Sequence, residues 1–271
     1  MSSIITDTLR RRQAERRTAL LPYLTVGFPD IDATPDLAEA LACGGADLIE
    51  LGVPFSDPIA DGVSIQRAGQ RSLSNGVDLA RCLDTAERCR QRTSVPLILM
   101  GYYNPFLQYG LDRLCREAAD CGVAGFIVPD LPPEESDDMR DAACARGLDV
   151  VFLAALTSSE ARLDQIGQMS AGFVYCVTVR GVTGARTTLS PELPGFLDRV
   201  RQHTALPLAA GFGISTPEHV RDVGRHADAA VVASALVNLL EQTEPAERPA
   251  AAERFVRWLA EGTAPHEGAR G

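Results

Sequence analysis

The chain has 271 residues, 45% of them hydrophobic, with 23 Gly, 17 Pro and a formal net charge of −10. That length suits one α/β barrel or two smaller domains around a sizeable core, and the acidic balance argues against a nucleic-acid surface. Lysine is absent and every basic side chain is arginine, which excludes a Schiff-base aldolase and a covalently held pyridoxal phosphate in this chain.

Residues 4–17 read as a short, charged surface helix. No apolar signal core precedes it and no apolar run reaches membrane-spanning length, so the expected location is the cytoplasm. Residues 20–27 form the first strand candidate. Thr34-Pro35 then opens a helix, with threonine as its cap and proline in its first turn, that runs to Gly44-Gly45. Residues 46–52 read as the second strand.

Further strands are expected at 96–101, 122–128, 148–153, 173–177, 206–211 and 228–232. Helices are expected at 78–90, 111–120, 134–146, 160–167, 191–201, 216–223 and 234–240. Eight strands, each followed by a helix, with no second composition regime, predict a single (β/α)8 TIM barrel with an extra N-terminal helix. An open doubly wound sheet would carry a glycine fingerprint after its first strand, where this chain has Gly27-Phe28-Pro29. The expected layout is one domain: helix 1–18, barrel 19–242, and a C-terminal helix and tail 243–271. Phe255, Trp258 and Leu259 share a helical face that should pack on the barrel wall, and the chain should fray after Gly262.

None of the seven cysteines forms a C-x-x-C pair and the count is odd, so they read as small core residues in a reducing compartment. The four histidines lie near no acidic or cysteine cluster in the sequence, and no metal site is expected.

The second strand holds the most informative stretch, Glu50-Leu51-Gly52-Val53-Pro54-Phe55-Ser56-Asp57-Pro58-Ile59-Ala60-Asp61-Gly62. A carboxylate inside an apolar run is costly unless it has a partner or a function. The prolines that follow end the strand, so Glu50 sits near its C-terminal end and Asp61 on the next loop. Active sites of this architecture occupy that face. The same face gathers Tyr23, Tyr102, Asp130, Tyr175, Thr183, Gly184, Gly213 and Ser234. Glu50, with a pKa raised by an apolar pocket, and Asp61 are the acid/base candidates, although Asp61-Gly62 taken alone reads better as a turn. Arg180 to Arg186, Ala210 to Ser215 and Val232 to Ser234 make three glycine-rich or helix-opening segments suited to a phosphate. Asp130 reads as a supporting acid or a turn, and Asn104-Pro105 and Tyr109-Gly110 as loop punctuation.

The motif running from Glu50 to Gly62, together with Gly181-Val182-Thr183-Gly184 and Gly211-Phe212-Gly213-Ile214-Ser215, closely resembles the tryptophan synthase alpha subunit family. The resemblance spans about residues 23–240. It implies a TIM-barrel lyase that cleaves indole-3-glycerol phosphate to indole and glyceraldehyde 3-phosphate. It also implies a partner, a pyridoxal-phosphate-dependent beta subunit in an αββα complex, with no cofactor in this chain. By the same resemblance Glu50 is the general acid/base and Asp61 the stabiliser of the indole nitrogen. Tyr23 and Tyr175 shape the site, while Thr183, Gly184, Gly213, Ala233 and Ser234 hold the substrate and its phosphate. Asp57, Pro58 and Asn104 would face the partner. Two positions depart from the family pattern: Ala233 stands where glycine is usual, and Val63 where proline is common. A stand-alone lyase, a non-catalytic barrel partner and a general phosphosugar isomerase remain as other readings.

Overall fold

Each of the eight expected apolar runs contains a parallel strand, and the strands are buried along nearly their whole length. The structure is a computed structural model that describes residues 3–177, 191–211 and 213–264. Its strands are β1 (Ala19–Thr25), β2 (Ile49–Gly52), β3 (Leu97–Met100), β4 (Val123–Ile127), β5 (Asp149–Val151), β6 (Leu153–Ala155), β7 (Val174–Val177), β8 (Leu208–Gly211) and β9 (Ala229–Val232). The hydrogen-bonded order is β5-β4-β3-β2-β1-β9-β8-β7-β6. Only Phe152 separates β5, paired to β4, from β6, paired to β7. The run expected as one fifth strand is therefore one stave interrupted at its middle, and it closes the barrel.

Side chains alternate across a strand, and this alternation divides the core in two. Leu21, Leu48, Ile98, Ile127, Val151, Phe173, Ala209 and Val231 fill the interior of the barrel. Leu20, Leu24, Ile49, Leu51, Leu99, Phe126, Val174 and Leu208 point outward beneath the helices. Tyr23 and Glu50 follow Leu21 and Leu48 on the inward row, and they are register partners across β1 and β2.

The N-terminal helix, Ile4–Ala14, is more than a charged surface element. Ile5 and Leu9 are fully buried in the interior cluster, and Thr6 Oγ1 donates to the Gly172 carbonyl at 3.0 Å. Arg12 Nε donates to Asp47 Oδ1 at 2.5 Å. Gly172 and Asp47 precede strands, so this helix closes the N-terminal end of the barrel and leaves the opposite end for chemistry.

Two helices lie where loops were expected. Val63–Ser74 follows the Asp61 loop and buries Ile65, Ala68, Gly69 and Ser72, one stripe at helical spacing. Tyr103–Tyr109 takes Pro105 into its first turn and buries Phe106, a position proline tolerates. The helix expected over 134–146 is divided into a short 3-10 turn, Pro133–Glu135, and an α-helix, Asp137–Cys144. Thr34 lies inside the helix Thr34–Gly44 and does not cap it; its Oγ1 accepts from the Gly27 N–H.

The C-terminal helix, Arg248–Ala260, packs on Thr34–Gly44 through Ala252, Val256 and Leu259. A Cβ at Gly44 would lie 2.8 Å from the Glu253 carbonyl oxygen, so the missing side chain sets this close approach. Trp258 does not join that face. It is exposed and lies beside Phe255, ring centroids 6.1 Å apart. Nor does the chain fray directly after Gly262: Thr263 is buried and accepts from Arg17 Nη2 at 2.9 Å. Residues 265–271 of the expected tail lie outside the described residues.

Cys82, Cys89, Cys115 and Cys176 are buried as expected, whereas Cys43 and Cys144 are exposed. Among the described residues no helix is long and apolar enough to cross a membrane.

Candidate active site

β2 leaves the barrel through Glu50, Leu51 and Gly52 before Pro54 ends the pairing. Gly52 is required by its neighbour, because a Cβ there would lie 1.9 Å from the Tyr23 hydroxyl oxygen. The Tyr23 ring thus crosses the mouth over β2, with Thr25 Oγ1 donating to its oxygen at 3.3 Å. A similar arrangement occurs opposite, where a Cβ on Gly211 would lie 3.0 Å from the Tyr175 oxygen. Burial and the nearby carboxylates Glu50 and Asp61 raise the pKa of both phenols, so each remains a neutral phenol.

Glu50 lies beneath these rings, fully buried. Neither of its oxygens has a hydrogen-bond partner among the described residues. Burial alone pushes the carboxyl up to about 8, because removing water penalises the charged form. At neutral pH the side chain is therefore a carboxylic acid with a proton to give.

Asp61 hangs from a tight turn. Its N–H donates to the Pro58 carbonyl at 3.2 Å, and its own carbonyl accepts from Gln66 Nε2 at 2.9 Å. Val63 starts the following helix, with Gly62 as its cap. This first-turn position needs no N–H partner in the helix, so valine serves where the family often has proline. Burial raises the Asp61 carboxyl to about 6, against an opposing hydrogen bond from the Tyr102 hydroxyl. The two carboxyls thus have different protonation states near pH 7, Glu50 neutral and Asp61 charged, the division of labour that paired acid/base groups require.

Of the proposed phosphate segments, Val232 to Ser234 is described, as is Ala210 to Ser215 except for Phe212. Gly213 has φ +70° and, among the described residues, nothing within 4 Å of a Cβ position. Ala233 has φ −116° and precedes the helix Ser234–Gln242. A negative φ suits alanine, so its methyl does not disturb the backbone at this helix N-terminus, where free N–H groups favour an anion. Thr183 and Gly184, with Arg180 and Arg186, lie outside the described residues.

Asp57 and Asn104 are exposed, and Pro58 is half-buried, on the same rim. Asp130 serves the neighbouring helix, where its Oδ1 accepts from the Tyr103 N–H at 2.8 Å at the start of Tyr103–Tyr109. His203 lies between Asp164 and Glu160, both distant from it in sequence, at 2.6 and 2.7 Å. Among the described residues no group of three His, Cys, Asp or Glu is placed to hold a metal.

Comparison with known proteins gives the family. The family model described as tryptophan synthase alpha chain matches residues 9–263. The chain belongs to the tryptophan synthase alpha chain family. It is accordingly a lyase of tryptophan biosynthesis, as the sequence motifs implied. The tryptophan synthase alpha chain of Roseiflexus castenholzii is 55% identical over 258 residues, covering 95% of this chain and 99% of the relative. That of Chloroflexus aggregans is 50% identical over 260 residues, covering 96% and 97%. Among solved structures, Mycobacterium tuberculosis tryptophan synthase superposes with a TM-score of 0.90 at 34% identity, covering 97% of this chain and 99% of that one. Tryptophan synthase subunit alpha from Legionella pneumophila gives 0.87 at 34%, with 97% and 98% covered.

Proposed function

We propose that Glu50 moves the protons and Asp61 holds the indole ring in a retro-aldol cleavage at the mouth of the barrel. As a tryptophan synthase alpha chain, the protein cleaves indole-3-glycerol phosphate to indole and glyceraldehyde 3-phosphate. The observation that carries the residue assignment is Glu50 itself, a buried carboxyl without a hydrogen-bond partner among the described residues, titrating near 8 on the inward row of the barrel.

The chemistry follows from that protonation state. The bond to be broken joins indole C3 to the adjacent carbinol carbon, and its electrons need a sink. Protonating C3 with the Glu50 carboxylic acid makes the ring an indoleninium cation, which is that sink. Asp61, charged at neutral pH, accepts the ring N–H and stabilises the positive charge as it develops. The Glu50 carboxylate left behind then takes the proton of the carbinol hydroxyl. The C–C pair moves into the ring, neutralising it to indole, the hydroxyl oxygen becomes the aldehyde, and Glu50 is again an acid.

Tyr23 and Tyr175 shape the ring pocket. Gly213, Ala233 and Ser234, with Thr183 and Gly184, hold the phosphate. The chain carries no cofactor, since pyridoxal phosphate belongs to the beta subunit. That subunit is the partner in an αββα assembly, facing Asp57, Pro58 and Asn104. We read residues 1–271 as one barrel domain working in the cytoplasm. The test is indole release from indole-3-glycerol phosphate by the chain alone and with a beta subunit. Weak release that rises sharply with the partner supports this reading, strong release alone makes the chain an independent lyase, and none in either case overturns it.

A further inference from the structure

Tyr102 stands just beyond β3, at the cap of the helix Tyr103–Tyr109, and is buried. Three contacts converge on this one side chain. Its oxygen accepts from the Ala60 N–H at 2.9 Å. The Asp61 carboxylate lies close enough to this hydroxyl for the phenol to oppose the rise in its pKa. Its ring lies against Phe55, at a centroid distance of 5.2 Å and an interplanar angle of 31°. Phe55 and Ala60 belong to the loop that carries Asp61, whereas Tyr102 belongs to the rigid end of the sheet.

The geometry points to Tyr102 as a positioning residue for Asp61, tying the backbone and the Phe55 ring of its loop to the end of β3. This rests on the role proposed above for Asp61. A hydroxyl has one hydrogen to donate and two lone pairs to accept with, so a phenol that accepts from the Ala60 N–H keeps its single hydrogen for the neighbouring carboxylate. Donation from the phenol favours the ionised form of Asp61, the form needed to face a cation. Burial and the Asp61 charge raise the Tyr102 pKa, so Tyr102 is a fixed donor and not a proton carrier. Phenylalanine at 102 would keep the stacking on Phe55 but lose both polar contacts.

The experiment is a double-mutant cycle of Tyr102→Phe and Asp61→Asn, with kcat and KM for indole-3-glycerol phosphate followed across pH. Tyr102→Phe should lower kcat about tenfold with little change in KM. It should also move the acidic limb of the kcat profile upward by about one pH unit, because the carboxylate loses a stabilising bond. In the Asp61→Asn background the same substitution should cost almost nothing further. A Tyr102→Phe enzyme with unaltered kcat and acidic limb, beside an inactive Asp61→Asn, overturns the positioning role alone. Additive losses overturn it as well, since they assign Tyr102 a contribution independent of Asp61. An Asp61→Asn enzyme with full turnover removes the role of Asp61 itself and the inference with it. Thermal melting of each variant separates these effects from a loss of folding.

Discussion

Replacing Glu50 by glutamine keeps the side chain's shape and removes its titration, which makes the cost of holding an acid here measurable. The carboxyl titrates at about 8 in the fold and near 4.5 when exposed. Between those values the folded chain keeps a proton that the unfolded chain has released. Stability therefore falls as pH rises through this window and levels off above about 8. At ~1.4 kcal/mol per pH unit, the loss reaches about 3 kcal/mol at pH 7 and about 5 kcal/mol above pH 8. Glutamine instead carries a constant cost of about 1–3 kcal/mol for a buried amide without partners. The melting temperature of Glu50→Gln relative to the parent should therefore rise by about 10 °C between pH 5 and pH 8.5, at 2–4 °C per kcal/mol for a chain of this size. In the same variant kcat should fall by about 10³ with substrate binding retained, the scale of general acid–base catalysis. A melting difference that does not change with pH refutes the protonated Glu50, and retained turnover refutes its role in the reaction.

Three further outcomes follow from the same geometry. The pH dependence of kcat/KM should be bell-shaped, with an acidic limb near 6 where Asp61 becomes protonated and a basic limb near 8 where Glu50 loses its proton; a flat profile from about 5 to 9 would contradict both assignments. Gly52→Ala should lower kcat/KM at least about tenfold, because its methyl would lie 1.9 Å from the Tyr23 oxygen and 2.4 Å from the ring carbon that bears it; since the ring clash survives loss of the hydroxyl, Tyr23→Phe in that background should recover little of it. Arg12→Ala should cost about 2 kcal/mol in denaturant unfolding with kcat nearly unchanged. Among the described residues it leaves the buried Asp47 carboxylate with only the Leu20 N–H, at 2.9 Å.

The barrel was legible because its signal is local. A parallel strand covered on both faces is a short apolar run, and five of the eight runs stop at Gly27, Gly52, Gly101, Pro129 and Gly211. Glu50 was legible for the complementary reason, being the charge that such a run should not contain. Val63–Ser74 escapes a sequence reading although Ile65, Ala68, Gly69 and Ser72 recur at helical spacing, because the intervening Arg and Gln residues make the segment resemble a loop. Contacts between distant residues carry no such local mark. Nothing near His203 in the sequence announces Glu160 and Asp164, which the preceding helix brings to it. Tyr102 could be placed on the catalytic face by its position after β3, but its bond to Asp61 depends on how one loop turns. Trp258 shares its helical spacing with Phe255 and Leu259 but is exposed, because spacing does not say how wide the buried stripe is.

The two carboxylates are held by supports of very different stiffness. Glu50 is part of a strand hydrogen-bonded to a neighbour on each side, so its burial and its affinity for a proton belong to the whole barrel. Asp61 is held by one turn, one glutamine and one phenol. Substitutions along the 55–62 loop can therefore change how well the cation is received while leaving the proton donor as it was. Across relatives, or in a directed-evolution library, turnover should vary through that loop far more readily than the basic limb of the pH profile does.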